Sequence, residues 1–350
     1  MRCLLVIAIL SLGMAIAASP QPLHRFESVE PHMGTLVKIT LYTSDEESAT
    51  RGFRAAFDRI SDLDQILSDY KPDSELNQLT THAVGHAVHV SNDLLTVLAA
   101  SQELAEATNG AFDVTQGPVV RLWRAARAAR RLPEQTALRE AESRSGFRKL
   151  HVDVRQQTVT LDRPNMALDV GAIGKGYAAS EAIAVLRGLG IRSALVAVSG
   201  DLAFSDAPPG QRGWRIDIRQ DDPALANVPR VLELSNSAVS TAGASEQYAE
   251  VGGQRYSHII DPSSGMGMVG DITVTVVARS GLEADGLDTA VSVLGKDRGL
   301  ALIESRPGVS ALIVQRTNTG TIVSMSSRFR EMIATAPAIT PPKTSATPTR

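Results

Sequence analysis

The sequence predicts an α+β fold, in which helices and antiparallel strands follow one another without the regular strand–helix–strand order of a parallel sheet. Between residues 44 and 68, apolar side chains recur at intervals of three and four, which is typical of an amphipathic helix. Residues 151–162 alternate apolar and polar side chains around a polar turn, which indicates a hairpin. With 43% hydrophobic residues in a chain of 350, one large domain over residues 19–333 can bury a core.

The N-terminal half is predicted to be mainly helical. Ser44 or Asp45 is suited to cap the first helix, because either side chain can accept a hydrogen bond from a first-turn amide. The second helix, at residues 92–108, ends at Asn109-Gly110, where glycine favours a left-handed conformation. Two further helices are predicted in this half, at residues 117–130 and 134–145.

The C-terminal half is predicted to mix strands with helices. A helix follows the glycines near residue 174 and runs to about Leu189, and a buried strand follows at residues 195–198. The remaining strands are predicted near 213–219, 231–240, 255–260, 272–278, 310–315 and 320–325, with helices at 283–294 and 297–305.

Both ends of the chain have their own composition. Residues 1–18 combine a basic start, an apolar run and the small residues Ala15-Ile16-Ala17, which predicts a signal peptide and therefore a protein that is periplasmic or otherwise exported, and soluble after cleavage. Cys3 precedes the apolar run, so the pattern is not that of a lipoprotein, and cleavage would leave no cysteine for a disulfide. Residues 334–350 are rich in Pro and Thr and are predicted to be a disordered tail.

Charge argues against nucleic acid as a partner. The net charge is −3, so the chain as a whole does not attract phosphate backbones. Local basicity is found in and just after one predicted helix, and its arginines are interpreted as a solvated face: Arg121, Arg124, Arg127, Arg130 and Arg131.

A glycine-rich turn at residues 168–177, LDVGAIGKGY, is the most informative stretch of the chain. Glycines let backbone amides approach an oxyanion, a helix start adds a partial positive charge, and Lys175 adds a full one. Its spacing matches neither a Walker A loop nor a dinucleotide fingerprint. The turn therefore predicts a phosphate contact of another kind.

Two later segments supply candidate catalytic groups. His258 and Asp261 surround the start of a Pro-Ser-Ser-Gly turn, and each is a candidate base. Asp285 and Thr289 are four residues apart, so on a helix they share one face. Two oxygen ligands on one face suit Mg²⁺, which usually keeps several waters.

Three histidines offer an alternative metal site. His82 and His86 have the spacing of helical zinc ligands, and His89 follows. The alternation of Val84, His86 and Val88 favours an extended chain instead, in which the rings would be scattered.

Taken in order, the motifs make the chain similar to the ApbE family of FAD:protein FMN transferases. The resemblance spans residues 31–305 and includes the glycine-rich turn and the segments at 258–265 and 284–290. The other matching segments are Met33-Gly34-Thr35, Leu67–Tyr70 with Ser74–Leu76, Gly110–Asp113, Ser199-Gly200-Asp201 and Ser240–Gly243.

This resemblance implies a T-fold-type domain with two closely packed α/β lobes around a flavin cleft. It implies a Mg²⁺-dependent enzyme that joins FMN from FAD to a Ser or Thr of a partner flavoprotein and releases AMP. The acceptor motif would be of the Ser/Thr-Gly-Ala-Ser/Thr type, as in FMN-binding subunits of membrane redox complexes. Metal ligands would be the Gly174 carbonyl, Asp285 and Thr289. Contacts to FAD would come from Met33, Tyr70, Ala111, Phe112, Asp113, Lys175, Tyr177, Ser180 and His258.

Several alternatives remain open from the sequence. The family often has aspartate where Ser180 stands and a second glycine where Ala172 stands, and an exported flavin-binding protein without turnover is therefore one alternative. An FAD pyrophosphatase, which uses water in place of the acceptor hydroxyl, is another. Residues 241–245, TAGAS, resemble the acceptor motif and raise self-modification, although they occupy a motif position of the family itself.

Overall fold

The computed structural model describes residues 21–218, 222–243 and 248–334. The predicted signal peptide and all of the predicted tail except Ala334 lie outside these residues. In the described part of the chain, no helix combines the length and apolar character needed to cross a membrane.

Helices form where the sequence predicts them. Asp45 caps the first helix by accepting a hydrogen bond from the Ser48 amide at 2.7 Å, and Asn109 and Gly110 take positive φ after the third. A helix at 75–82 and another at 327–334 are additions to the prediction. In the described residues the helices are α1 (Glu46–Leu67), α2 (Glu75–His82), α3 (Asn92–Ala107), α4 (Gly117–Ala129), α5 (Gln135–Ser143), α6 (Gly174–Gly188), α7 (Gly281–Glu304) and α8 (Ser327–Ala334).

Strands lie near the start of the described residues and through most of the second half of the chain. Gly295, with φ +74°, kinks α7 where the sequence predicts a break between two helices. The strands of the described residues are β1 (His24–His32), β2 (Thr35–Thr43), β3 (Val88–His89), β4 (Leu150–Asp153), β5 (Thr158–Leu161), β6 (Ser193–Val198), β7 (Asp201–Phe204), β8 (Trp214–Asp217), β9 (Val231–Leu234), β10 (Ser237–Gly243), β11 (Tyr248–Val251), β12 (Gln254–Asp261), β13 (Met266–Val269), β14 (Asp271–Ala278), β15 (Ser310–Thr317) and β16 (Gly320–Met325).

The main sheet has eight strands in the described residues, in the order β1-β2-β6-β7-β10-β14-β15-β16. Every neighbouring pair in it is antiparallel. The predicted α+β class is confirmed. The predicted strand at 231–240 is wrong in one respect: Asn236, with φ +51°, divides it into β9 and β10, which lie in different sheets.

The core lies on both faces of this sheet. One face packs against α1, α6 and α7 through a large apolar cluster that includes Ile39, Ile60 and Ala178. The other face is covered by β8, β9 and α8 through Phe204, Phe329 and their neighbours. Because α6 and α7 are held side by side on the sheet, the residues at their N-terminal ends come close together.

Candidate functional site

A cavity of about 800 Å³ opens where the β1–β2 turn, the loop after α1, the glycine-rich turn, the β6–β7 turn, β12 and α7 meet. This volume is within the roughly 300–1,000 Å³ of ligand sites. The cavity brings together most of the residues predicted from sequence. Its lining includes Met33, Tyr70, Ala111, Phe112, Asp113, Gly174, Lys175, His258, Asp285 and Thr289.

Three buried carboxylates stand at one end of the cavity. Asp201 begins β7, while Asp285 and Asp288 lie on one turn of α7. Each offers an oxygen, and these oxygens all lie within 4.8 Å of one another. We call this group the aspartate cluster. Sequence reasoning quoted Asp201 and Asp288 only as parts of motifs and did not assign them to the metal site.

Two glycines hold α6 and α7 close enough to build this end. A Cβ added at Gly176 would lie 2.1 Å from the Gly281 carbonyl oxygen, and one at Gly281 would lie 2.0 Å from the Gly176 carbonyl oxygen. Only glycine allows two backbones this close. The contact lets the Gly176 amide donate to Asp285 at 2.9 Å, so that a residue of α7 caps the first turn of α6.

Lys175 faces the aspartate cluster. Its ammonium donates to Asp201 at 2.6 Å and lies 3.7 Å from Asp285. Burial disfavours the charged form, but the attraction of Asp285 and Asp201 outweighs it and raises the pKa of Lys175. Lys175 also lines the cavity, and this position is compatible with a contact to a phosphate of a bound ligand. That contact stays a prediction.

Two hydroxyl groups complete the cluster. Ser240, on the neighbouring strand β10, contacts carboxylate oxygens of both Asp201 and Asp288, the latter at 2.5 Å. Thr289 is half-buried, and its hydroxyl lies 3.2 Å from Asp288. Thr289 and Asp285 share one face of α7, as the four-residue spacing predicts.

The carboxylates resist being charged together. Burial raises the pKa of Asp285 to about 7, and repulsion from Asp201 adds to the effect. Burial, with repulsion from Asp285 and Asp201, also raises the pKa of Asp288 well above its ordinary value. Three carboxylates with one ammonium leave a buried excess of negative charge, and a bound divalent cation would offset it.

The residues present fit Mg²⁺. Every side chain in the cluster offers oxygen, the donor that hard cations prefer, and soft sulfur ligands are absent from it. The Gly174 carbonyl remains a predicted ligand, since Gly174 is the first residue of α6 and lines the cavity. Asp285 and Thr289 remain the predicted side-chain ligands, with Asp201 and Asp288 as additional candidates.

The other end of the cavity is aromatic where the aspartate cluster is acidic, because Tyr70 lies there, in the loop between α1 and α2. Tyr70 lines the cavity and is 73% exposed, so one face of its ring is open to a planar ligand. The Arg124 guanidinium covers the ring at 4.3 Å from its centroid. The structure therefore corrects the interpretation of Arg124 as part of a solvated helix face.

Met33 is presented by a tight turn between β1 and β2. Met33 and Gly34 have φ of +50° and +71°, the pattern of a two-residue hairpin turn of type I′. Both residues line the cavity, and Met33 also packs on the main core. The sequence prediction that Met33 contacts FAD is compatible with this position.

The segment Ala111–Asp113 lines the cavity, but its side chains have other partners. Phe112 is buried in the main core. The Asp113 carboxylate accepts from the backbone amides of Thr115 at 2.8 Å and Phe147 at 3.0 Å. It also accepts from the Thr115 hydroxyl and the Gln116 amide, so contacts from this segment to a ligand would fall mainly to its backbone.

The two candidate bases differ in access. His258, on β12, lines the cavity, whereas Asp261 is not among the lining residues. The Asp261 carboxylate accepts from the Ser263 amide at 2.9 Å and from its hydroxyl at 2.7 Å, which stabilises the turn that follows. Position therefore favours His258.

Tyr177 and Ser180 are not among the residues that line the cavity, so their positions do not support the contact with FAD, which stays a prediction. The Tyr177 hydroxyl donates to Asp93 at 2.6 Å, and the Ser180 hydroxyl accepts from the Gly281 amide at 2.7 Å. Residues two and five positions after Lys175 lie on other faces of α6, which turn away from the cavity.

The histidine alternative finds no support in the described residues. His82 ends α2, with its ring nitrogen 2.8 Å from the Gln78 carbonyl, and His86 bonds the Val84 carbonyl at 3.0 Å. Within the described part of the chain, the group with metal-ligand spacing is the aspartate cluster. For self-modification, Thr241 lines the cavity while Ala244 and Ser245 lie outside the described residues.

An antiparallel α+β fold with an oxygen-rich acidic cluster and an exposed aromatic ring in one cavity defines a protein that can bind a divalent cation beside a planar, phosphate-bearing ligand. The chain belongs to the ApbE family, whose profile matches residues 33–313. The resemblance drawn from the sequence motifs is thereby confirmed.

Known relatives are similar over nearly the whole chain. An FAD:protein FMN transferase from Vibrio cholerae is 29% identical over 333 residues, which is 94% of this chain and 98% of the relative. The solved structure of the flavin transferase ApbE from Vibrio cholerae superimposes with a TM-score of 0.78 at 29% identity, covering 89% of this chain and 99% of that one. The solved structure of the apo flavinyl transferase ApbE from Pseudomonas stutzeri superimposes with a TM-score of 0.78 at 29% identity, covering 90% of this chain and 98% of that one.

Proposed function

We propose that this protein is an FAD:protein FMN transferase that requires Mg²⁺ and releases AMP. The observation that carries the proposal is the presence, in one cavity of an ApbE-family chain, of the aspartate cluster with Lys175 at one end and the open Tyr70 ring at the other. A flavin dinucleotide has the matching parts, because planar rings flank a doubly charged pyrophosphate.

Different residues would contact different parts of FAD. Tyr70 and Met33 offer apolar contact to a planar ring. Lys175 supplies positive charge for the pyrophosphate. Asp285, Thr289 and the Gly174 carbonyl, with Asp201 and Asp288 nearby, would hold Mg²⁺, and a bound Mg²⁺ supplies neutralisation of the charge that develops on phosphate oxygens.

The chemical step is a displacement at phosphorus. The acceptor hydroxyl oxygen forms a bond to the FMN-side phosphorus, the bond from that phosphorus to the bridging oxygen breaks, and AMP leaves with the bridging oxygen. The hydroxyl proton passes to a base, for which His258 has the necessary access to the cavity. No covalent enzyme intermediate is required.

An incubation with FAD and Mg²⁺, with and without an acceptor peptide carrying a Ser/Thr-Gly-Ala-Ser/Thr motif, tests the proposal. We expect AMP and an FMN-bearing peptide in equal amounts, measured by chromatography and intact mass. AMP that appears equally without the peptide would indicate a pyrophosphatase, and bound FAD without AMP would indicate a flavin-binding protein. An FMN mass on the protein itself would indicate self-modification.

We further propose that the protein acts after export, on flavoprotein subunits of membrane redox complexes. The signal-peptide pattern of residues 1–18 supports the export, and the flavoprotein partner follows from the transfer activity proposed above. Fractionation of cells that express the full chain, with N-terminal sequencing of the recovered protein, tests it. Recovery of the uncleaved chain from the cytoplasm would contradict it.

A further inference from the structure

The Tyr70 ring stands in a loop that gives it little support of its own. Tyr70 follows the end of α1, and its amide donates to the Ser68 hydroxyl at 3.2 Å. A ring that is 73% exposed can change rotamer freely unless a neighbour restrains it. Because a freely turning ring must be ordered when a ligand stacks on it, restraint in advance would strengthen binding.

Arg124, on α4, supplies that restraint. Its guanidinium lies 4.3 Å from the ring centroid, a cation–π distance, and leaves the opposite face of the ring open. Arg124 is itself largely buried, with 26% of its side chain exposed. A planar guanidinium held in this way acts as a second layer beneath the ring.

Two carboxylates from separate segments fix the guanidinium. One nitrogen donates to Asp69, the residue before Tyr70, and the other donates to Asp169 at 2.7 Å. Both carboxylates are mostly buried. Burial and repulsion from Asp69 raise the pKa of Asp169, and Arg124 is the main group that opposes the rise. Arginine suits this place because its rigid fork can bind two carboxylates while its face stacks on a ring.

Asp169 extends the connection to the glycine-rich turn. Its second oxygen accepts from the Gly171 amide at 2.9 Å, five residues before Gly176 and close to Lys175 in the chain. Arg124 therefore ties the Tyr70 loop to the turn that leads into α6.

We propose that Arg124 is a positioning residue for FAD, which holds the Tyr70 ring in the orientation that stacks on the dinucleotide. The inference rests on the proposed function, since FAD is the ligand. Arg124 lines the cavity itself, but in this proposal it acts through Tyr70 and not by direct contact with FAD, so its contribution to binding disappears when the ring is absent.

A double-mutant cycle in the full-length protein tests the proposal, with FAD affinity measured by flavin fluorescence titration in Mg²⁺. We expect Arg124→Met to weaken FAD binding about 3- to 30-fold, while kcat at saturating FAD stays within a few fold. In a Tyr70→Ala background, the same substitution should change affinity by less than about twofold. The control Arg131→Met, which removes a 70% exposed arginine just after α4, should leave affinity unchanged.

An equal loss from Arg124→Met in both backgrounds would overturn the proposal, because a merely structural residue does not need Tyr70. Unchanged affinity in the Arg124→Met protein would overturn it too. If Arg124→Met does not fold, Arg124→Lys replaces it in the cycle. Lysine keeps the charge but cannot bind both carboxylates at once, so we expect FAD affinity below that of the parent. FAD affinity equal to that of the parent would overturn the requirement for both carboxylates. Failure of the parent protein itself to bind FAD would instead contradict the proposed function.

Discussion

The two ends of the cavity are built in opposite ways. The aspartate cluster lies on β7 and α7, deep in the fold, where each carboxylate is 3% exposed or less. Tyr70 lies in a loop between two helices and is 73% exposed. At the acidic end the surrounding helices and strands fix every group, whereas at the aromatic end one guanidinium holds the ring.

The difference assigns different tasks to the two ends. In the proposed function, the buried carboxylates would hold the cation in a fixed position, and such groups act on the charge that develops in the reaction. An open ring in a loop can release its ligand easily and contributes to binding rather than to the chemical step. Substitutions at the acidic end should therefore lower kcat, and substitutions at the aromatic end should raise KM.

The largest effect is expected at Asp285. Asp285→Asn keeps an oxygen to accept from the Gly176 amide but removes an anionic metal ligand, so we expect transfer at ordinary Mg²⁺ to fall at least about ten-thousandfold while the protein stays folded. Rates of AMP release and a thermal melt measure this. Asp297→Asn, which changes a 90% exposed carboxylate on the same helix, is the matched control and should behave as the parent.

His258→Ala should slow transfer by roughly a hundred- to ten-thousand-fold and change FAD affinity far less, because a base acts on the proton of the nucleophile. Single-turnover rates and FAD titrations separate the two quantities. His151→Ala, at an exposed histidine on β4, serves as control. If Asp261→Ala lost the rate while His258→Ala kept it, the carboxylate would be the base. Proportional loss of binding and rate in both variants would mean that this turn only holds the cofactor.

The stability of the metal-free protein should fall as pH rises from about 4 to about 7. The pKa of Asp285 is raised from 3.8 to about 7, so in this window the folded state holds a proton that the unfolded chain has lost. The loss should be on the order of a few kcal/mol. Saturating Mg²⁺ should reverse the trend, since the cation favours the ionised carboxylates. Urea unfolding at pH 5 and pH 7.5, with chelator or with Mg²⁺, measures the free energy of unfolding in each case. Equal stability of the metal-free protein at both pH values would contradict a raised pKa of Asp285.

Tyr70→Ala should weaken FAD binding by about 1–3 kcal/mol and leave Mg²⁺ affinity nearly unchanged, because a stacking face is lost but no ligand. Tyr70→Phe keeps the face and should bind FAD almost as the parent does. Fluorescence titration of FAD, together with calorimetric titration of Mg²⁺, gives both numbers. Identical FAD affinity for Tyr70→Ala and parent would remove Tyr70 from the site.

The smallest effect is expected at Ser180, which lies outside the cavity lining. Ser180→Ala should leave FAD affinity within about twofold of the parent, although it removes the acceptor of the Gly281 amide and should lower thermal stability. A large loss of FAD affinity without loss of stability would return Ser180 to the ligand site.

Much of the fold could be predicted because its signals are local. The three-and-four spacing of Phe53, Phe57 and Ile60 defines α1, and Asn109-Gly110 marks the end of α3. The β1–β2 hairpin carried a comparable signal, in the alternation of Val37, Ile39 and Leu41 after Met33-Gly34, but was not predicted. The division at Asn236 depends on which sheet each strand joins, and periodicity does not reveal it.

The site was predictable where one motif supplied neighbouring groups. Asp285 and Thr289 follow from helical spacing, and the same spacing shows that Tyr177 turns away from Lys175. Asp201 joins the cluster only because β7 lies beside β10 and α7, which brings together residues more than 80 positions apart in the chain. Arg124 was interpreted as surface because its partners, Asp69 and Asp169, are 55 and 45 residues away.

A Mg²⁺ titration of AMP release, with FAD and acceptor peptide held at saturation, shows whether transfer depends on a metal ion bound at the aspartate cluster. The parent should show a saturable requirement for Mg²⁺ and one FMN-peptide per AMP, and Asp285→Asn should remain near background over the same range. Transfer by a folded Asp285→Asn protein at the rate and Mg²⁺ dependence of the parent would contradict that dependence on the aspartate cluster.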